Sequence, residues 1–502
     1  FPTGVAMAAT WDPALIERVG EALAEETLAL GCDILLGPCV NIVRAPLAGR
    51  NFEAYAEDPY LAGRIAVAWI KGLQRRGVGA SLKHYAANNQ EVERMRGSSE
   101  VDERTLREIY LPAFEAAVKE AQPWTVMCSY NRLNGTYASE HEFLLNDVLR
   151  NEWGFDGLVV SDWGAVHSTA APVLAGLDLE MPGPAKWFGN LLTEAVRTWQ
   201  VDESAVDEAV RRILRILARA GRLEGDERPE GAVNTPEHQT LAREVATESM
   251  VLLKNEGDAL PLDGAALRTV AVIGPNADEA RIGGGGSSYL EPPYAVSPLE
   301  GLRAALADVE VAHERGCDNY GATLPALKAE FLTPARGEGP GLFGEFFATR
   351  EGATEAKAKA AAERVDASFG MIQPPPEVSR GTFSARWTGS LDVPTTGRHT
   401  LQVQATGECR VYVAGSLVAE AQPGARGMFG LPVRAATATV FLRAGEAADM
   451  RIEFAQDAEA PVAMLSLHMA HTPEPDDRIQ RAVDLARRAD VAIVCAGMST
   501  GF

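Results

Sequence analysis

Apolar runs that stop abruptly at a polar side chain set the rhythm of the first two hundred residues. Gly157-Leu-Val-Val-Ser-Asp162-Trp163-Gly164 is an apolar, β-branched stretch closed by a carboxylate, an aromatic ring and a glycine. Val78-Gly-Ala-Ser-Leu-Lys83-His84 closes on two basic groups, Trp124-Thr-Val-Met-Cys-Ser-Tyr130 on a phenol, and Leu177-Asp-Leu-Glu-Met181-Pro182 on a turn. Such runs predict buried strands of a parallel sheet. Between them, residues 101–120 repeat apolar positions at three- and four-residue steps, which predicts a helix. Strand and helix in alternation predict a (β/α) barrel, whose ligand face lies at the carboxyl ends of its strands. An Asp at that place is either a site carboxylate or a helix N-cap. The recurrence of polar closures at four strand ends favours the site.

The texture changes twice further along. Residues 224–236 are polar and rich in Pro and Gly, as in a linker. Beyond them a helix over residues 238–254 and the continuous apolar run Thr269-Val-Ala-Val-Ile-Gly-Pro-Asn276 predict a second α/β domain, and residues 469–502, with the helical pattern Arg478–Arg488 and the run Ala489–Gly497, resume it. Residues 341–468 carry short alternating segments separated by Gly, Pro and Thr, the pattern of a β-sandwich, with residues 353–363 read as a helical excursion on its surface. The predicted fold class is therefore multidomain α/β: a barrel over 1–223, an α/β sandwich over 237–340 and 469–502, and an inserted all-β sandwich over 341–468.

Composition narrows the function classes. The 502 residues are 46% hydrophobic and 23% charged, which is ordinary for globular cores. A net charge of -22 argues against nucleic acid as a partner, and the short pairs Arg75-Arg76, Arg211-Arg212 and Arg487-Arg488 read as solvated helix faces. No run of about 20 apolar residues suggests a membrane span. The six cysteines are irregularly spaced and read as buried free thiols; no Cys-x-x-Cys or His-Glu-x-x-His pattern calls for a metal, and no cofactor is expected. Gly283-Gly-Gly-Gly-Ser287-Ser288 lacks both the dinucleotide fingerprint and a P-loop Lys, so a loop near a ligand entrance is the better reading, and a dehydrogenase built on the run 269–276 is disfavoured. The chain opens at Phe1-Pro2 without an initiator Met, so the lack of a leader says nothing of secretion, and localisation and a homodimeric state are left open.

Several motifs taken together resemble glycoside hydrolase family 3: Gly49-Arg50-Asn51-Phe52-Glu53-Ala-Tyr-Ala-Glu57-Asp58-Pro59, Lys83-His84-Tyr85-Ala86-Ala87-Asn88-Asn89-Gln90-Glu91, Ser129-Tyr130-Asn131 and Val160-Ser161-Asp162-Trp163. The resemblance covers residues 1–325 and 472–502, while 341–468 more weakly resemble the protective-antigen-type sandwich that some members insert. It implies a retaining glycosidase acting on a small-molecule glycoside, in which two carboxylates about 5 to 5.5 Å apart flank an oxocarbenium-like transition state. Asp162 matches the nucleophile. Arg50, Lys83, His84 and Arg94 match the groups that hold the glycone, Tyr130 would lie beside the nucleophile, and Trp163 would offer an apolar face to the sugar. Read without the family, Arg50 would simply pair with Glu53 or Glu57, Arg94 would be a surface residue and Trp163 core. Asn88, Asn89 and Glu91 are expected to support the site rather than touch substrate.

The family's glycone-binding Asp and its acid/base Glu match no position in residues 1–502, and both are expected outside them. The Lys-His-Tyr-Ala-Ala-Asn-Asn-Gln-Glu form resembles the β-glucosidase branch, because members acting on N-acetylglucosamine carry a Lys-His-Phe-Pro-Gly-His-type motif. Xylosidase or arabinosidase activity stays open, as does a non-catalytic carbohydrate-binding protein, although a buried carboxylate at Asp162 serves catalysis better than binding. The Ala-, Arg- and Gly-rich composition suggests a high-GC bacterium, and related enzymes of such bacteria also deglucosylate secondary metabolites such as macrolides.

Overall fold

A computed structural model describes residues 1–223, 229–290, 292–318, 324–348, 358–360, 372, 383–426, 432–456, 463–472 and 477–497. The chain divides into two compact units, Phe1–Asp258 and Ala259–Phe502. It is a multidomain α/β protein with several sheets.

In the first unit four strands lie parallel in the order β1 (Ile34–Leu35), β2 (Gly79–Tyr85), β3 (Thr125–Cys128) and β4 (Leu158–Ser161). Their near-continuous burial follows from the apolar runs: every residue of β3 and β4 is buried. The fourth expected strand is reduced to a bridge, Leu179 beside Val160, in the same parallel sense. Its acidic residues are taken up by packing. The Glu180 carboxylate accepts from the backbone N–H groups of Lys186 (3.1 Å), Trp187 (2.8 Å) and Phe188 (2.7 Å), which holds the following loop. Asp178 is paired with Arg150 and Arg212 at 2.7 Å each, so Arg212 is not the solvated residue expected of the pair Arg211-Arg212.

Helices cover this sheet. α1 (Pro13–Ala29) and α2 (Pro59–Arg75) each start with Pro at the first turn behind an Asp N-cap, Asp12 and Asp58, whose side chains accept from the next backbone N–H groups. They approach closely because Gly20 and Gly72 face the other helix; a Cβ on Gly72 would sit 2.0 Å from the Glu17 carbonyl. The helix expected over 101–120 exists in pieces: Glu103–Thr105, the wide turn Leu106–Tyr110, then α3 (Pro112–Ala121). Pro112 has no N–H to continue the ladder, and the Leu111 N–H reaches back five residues to the Leu106 carbonyl (3.0 Å).

The helix Pro236–Glu248, expected to open the second domain, belongs to the first unit. Its apolar stripe buries Leu241 and Val245 in the same core as α1 and α2, and His238 lies between Glu25 (3.1 Å) and Glu26 (3.0 Å) of α1.

The second unit holds a three-stranded parallel sheet, Val491–Val494 beside Thr269–Ile273 beside Glu310–Glu314. It also holds two antiparallel sheets, one of seven strands and one of four (Gln422–Arg426, Pro432–Leu442, Gly397–Ala405 and Leu465–Thr472). Alternate residues His399, Leu401, Val403 and Ala405 of one strand are buried, the two-residue period of a sheet with one face in the core. The antiparallel part is wider than 341–468: Leu332–Pro334 pairs with Ser384–Leu391, and Ala326 bridges His468. Pro325 and Pro334 mask these short strands in the sequence. Where a surface helix was expected over 353–363, Ala358–Ala360 is a strand paired with Phe343–Phe347; the rest of that stretch lies outside the described residues. Of the cysteines, Cys39, Cys128 and Cys409 are buried, but Cys32 and Cys317 are exposed.

Candidate active site

All seven candidate residues lie in the first unit, and the ends of β2, β3 and β4 bring most of them together. Asp162 directly follows β4 and is 7% exposed. Its Oδ1 accepts from the Trp163 N–H (2.8 Å), and its Oδ2, fully buried, has no hydrogen-bond partner among the described residues. Gly164 turns the chain at φ 84°, a conformation glycine adopts without a Cβ penalty, and donates to the Met181 carbonyl (2.9 Å). That turn leaves the carboxylate at the strand end.

β2 delivers Lys83 and His84. His84 is 2% exposed, with Nε2 3.7 Å from Asp162 Oδ2. Just after β3, Tyr130 donates its hydroxyl proton to the Trp163 carbonyl (3.1 Å). The Arg94 guanidinium lies 5.0 Å from the Tyr130 ring centroid and is bonded to Glu91, so it is a largely buried part of the cluster rather than a surface residue.

Glu53 organises the cations. Its carboxylate accepts from Arg50 Nε (2.5 Å) and Arg50 Nη2 (3.1 Å) and lies 3.3 Å from Lys83 Nζ. The pairing with Arg50 expected on purely structural grounds is therefore present, and it does not remove Arg50 from the site. The i, i+3 spacing in the sequence signals the pair with Arg50; the contact with Lys83, thirty residues on, has no local signal. Asn41 was missed altogether, as its partner His84 lies 43 residues away. Asn89, expected in support, donates to the Ile42 carbonyl (2.7 Å). Trp163 is half-buried.

Charge and burial oppose each other at Asp162. Burial raises its pKa above the ordinary carboxylate value, against the Trp163 N–H, Arg50, Tyr130 and Lys83, which all favour the anion. His84 is held well below its usual value, first by burial and then by Arg50, Lys83 and Arg94. A neutral imidazole, two largely buried cations and a carboxylate with one oxygen unpartnered can bind a polyhydroxylated ring and attack it.

Residues 1–216 match the glycosyl hydrolase family 3 N-terminal domain, and residues 250–501 match the family's C-terminal domain. A β-glucosidase of Rhizobium radiobacter is 42% identical over 509 residues, covering 99% of this chain and 60% of its own length. β-Glucosidase B of Emericella nidulans is 40% identical over 513 residues, with the same shares of 99% and 60%. Among solved structures, β-glucosidase from Kluyveromyces marxianus in complex with glucose superposes with a TM-score of 0.90 at 32% identity, covering all of this chain and 62% of that one. Relatives thus come from fungi as well as a bacterium, and composition does not fix the source. The chain spans about three-fifths of the length of the curated relatives it matches. On both domain matches, it belongs to glycosyl hydrolase family 3.

Proposed function

We propose that the protein is a retaining β-glucosidase that removes terminal β-D-glucosyl residues from oligosaccharides or glucosylated small molecules, with Asp162 as the nucleophile. The observation that carries this reading is the state of Asp162: its Oδ1 is fixed by a backbone N–H, while its Oδ2 is buried and unpartnered in the field of the largely buried Arg50 and Lys83. Leaving a buried carboxylate oxygen without a partner costs stability, and a nucleophile needs that free lone pair. Arg50, Lys83, His84 and Arg94 would bind the glycone hydroxyls through charge-assisted and neutral hydrogen bonds, Tyr130 would brace the turn after Asp162 through its bond to the Trp163 carbonyl, and Trp163 would stack on the ring. The relatives' names, β-glucosidases throughout those cited, support the same substrate class.

The architecture fits. The parallel order β1 to β4, continued by the Leu179 bridge, supports a (β/α)8 barrel reaching to Glu248 once the helix Pro236–Glu248 is counted with it. The two antiparallel sheets that share one core support a β-sandwich placed in sequence between the two parts of an α/β sandwich.

The test of substrate class uses aryl β-glycosides with the intact enzyme. The glucoside should have the highest kcat/KM, with the xyloside below it and the N-acetylglucosaminide inert; a xyloside that exceeds the glucoside would favour the xylosidase reading, and binding of glucose with no turnover of any glycoside would favour a sugar-binding protein. The same assay gives a pH signature. Asp162 must be ionised to attack, so kcat/KM falls as pH drops through its raised pKa. Arg50→Met removes a cation that favours the anion, so the acid limb should move to higher pH. The loss of a charged hydrogen bond to the sugar should also lower kcat/KM by roughly 30- to 150-fold. An acid limb that stays in place, or moves to lower pH, would separate Arg50 from Asp162.

A further inference from the structure

We propose that Asn41 is a positioning residue that holds His84 in the tautomer with its proton on Nδ1, so that a bare Nε2 faces Asp162 and accepts a hydrogen bond from a sugar hydroxyl. The sugar part of this statement rests on the glucosidase reading; the tautomer does not.

The amide of Asn41 can lie only one way round. The His84 backbone N–H donates to Asn41 Oδ1 (2.9 Å), and Asn41 Nδ2 donates to the His84 carbonyl (2.8 Å). A peptide N–H requires an acceptor and a carbonyl requires a donor, so the oxygen and nitrogen are assigned without reference to the imidazole. The same Oδ1 then lies 3.2 Å from His84 Nδ1. An amide oxygen can only accept, and its second lone pair is contested only by the weak Cys39 thiol donor, whose Sγ is farther off at 3.6 Å; the contact with the ring is a hydrogen bond only when Nδ1 carries the proton. Asn41 is 6% exposed and His84 2%, so bulk solvent cannot replace a hydrogen bond broken here. The ring is neutral, because burial and the nearby cations Arg50, Lys83 and Arg94 disfavour the imidazolium. With the proton on Nδ1, Nε2 has only a lone pair.

The competing donor is the Cys39 thiol, with Sγ 3.7 Å from His84 Nδ1 and 3.6 Å from Asn41 Oδ1. Were the thiol to donate to Nδ1, the ring proton would sit on Nε2. The amide oxygen is nearer and a thiol is a weak donor, so the amide prevails.

The chemical consequence lies 3.7 Å away at Asp162 Oδ2. An Nε2–H aimed at that oxygen would occupy the lone pair needed for attack on the anomeric carbon. A bare Nε2 cannot, and it accepts a proton from a ligand hydroxyl instead. Lys83 and Arg50 are donors only; His84 adds an acceptor to them, so a sugar hydroxyl can donate as well as accept.

The tautomer is read directly from nitrogen chemical shifts of the substrate-free chain labelled with 15N-histidine, with His84 assigned by the signals that disappear in His84→Gln. The expected result is a protonated Nδ1 and a bare Nε2 in the wild type and in Cys39→Ala, and movement of the proton to Nε2 in Asn41→Leu. A wild-type proton on Nε2 would overturn the proposal on its own, whether or not Asn41→Leu folds. So would a conversion in Cys39→Ala, or an Asn41→Leu that keeps Nδ1 protonated. Because no substrate is present, failure here is distinct from failure of the glucosidase reading. In the kinetic arm, one of the monodeoxy aryl β-glucosides should suffer at least about a 10-fold loss of kcat/KM in the wild type, and that loss should shrink in Asn41→Leu; equal losses in both proteins would contradict the acceptor role.

Discussion

Asp162→Asn should lower turnover of an aryl β-glucoside by on the order of 10⁴-fold or more while leaving the fold intact, because the amide keeps the shape and loses the nucleophile. The Asn Oδ1 can still accept the Trp163 N–H that Asp162 accepts at 2.8 Å. Burial raises the pKa of Asp162, so its contribution to folding is fully present below the ordinary carboxylate pKa and is lost as pH rises through the raised value. At neutral pH the ionised group therefore costs stability, and the variant should melt at the same temperature as the wild type or higher. Site carboxylates commonly trade stability for activity in this way. A steady-state assay and a thermal melt on one preparation check both halves. More than a tenth of wild-type turnover would remove Asp162 from the role proposed for it, and a large fall in melting temperature would show that the residue mainly serves packing.

The largest expected effect on stability comes from Asp178, at the opposite extreme of polar satisfaction. Its Oδ2 accepts from Arg150 Nη2 and the Val159 backbone N–H, and its Oδ1 from Arg212 Nη1, each at 2.7 Å. Its side chain is 1% exposed and that of Arg150 10%, so the pair ties the helix Phe143–Glu152 and the helix Glu203–Arg219 to β4. Asp178→Ala leaves the Arg150 guanidinium buried without its counter-charge and should cost about 3–5 kcal/mol. Urea unfolding of the first unit's transition measures this. A cost under about 1 kcal/mol would mean that Arg150 finds other acceptors, such as the carbonyls of Gly157 and Gly176 to which it already donates at 3.2 and 3.1 Å.

Much of the first unit is legible because burial on both faces of a parallel strand forces a continuous apolar run, and the polar residue that ends such a run stands out. That is how Asp162, Lys83, His84 and Tyr130 could be named from sequence, and the structure places His84 within 3.7 Å of Asp162. The same rule reaches less far at Leu177–Met181, where the expected strand is a single parallel bridge. There Asp178 and Glu180 meet guanidinium and backbone donors of neighbouring elements, and no local pattern distinguishes a carboxylate that binds its own fold from one that faces a ligand. Long-range pairing hid more. Asn41 shares a motif with nothing that betrays its grip on His84, and the apolar stripe of Pro236–Glu248 specifies a buried face without saying whose core it joins. In the second unit, alternation in Gly397–Ala405 is clear, whereas Leu332–Pro334 is too short and too Pro-flanked to register. An Ala-rich stretch around Ala358–Ala360 has helical propensity, yet pairing with Phe343–Phe347 decides its conformation.

The central claim, that Asp162 forms a covalent bond to the glycone, is tested most directly by trapping. In a 2-deoxy-2-fluoro-β-glucosyl inactivator the fluorine slows both steps of a retaining mechanism, while a good leaving group keeps the first step fast enough to occur, so the glycosyl-enzyme accumulates. Trypsin should release residues 151–186 as one peptide, since this stretch holds no Lys or Arg before Lys186. The expected result is one fluoroglucosyl group per chain on that peptide, localised by fragmentation to Asp162 rather than to Glu152, Asp156, Asp178 or Glu180. A label on any other residue, or inactivation with no covalent label, would contradict the account.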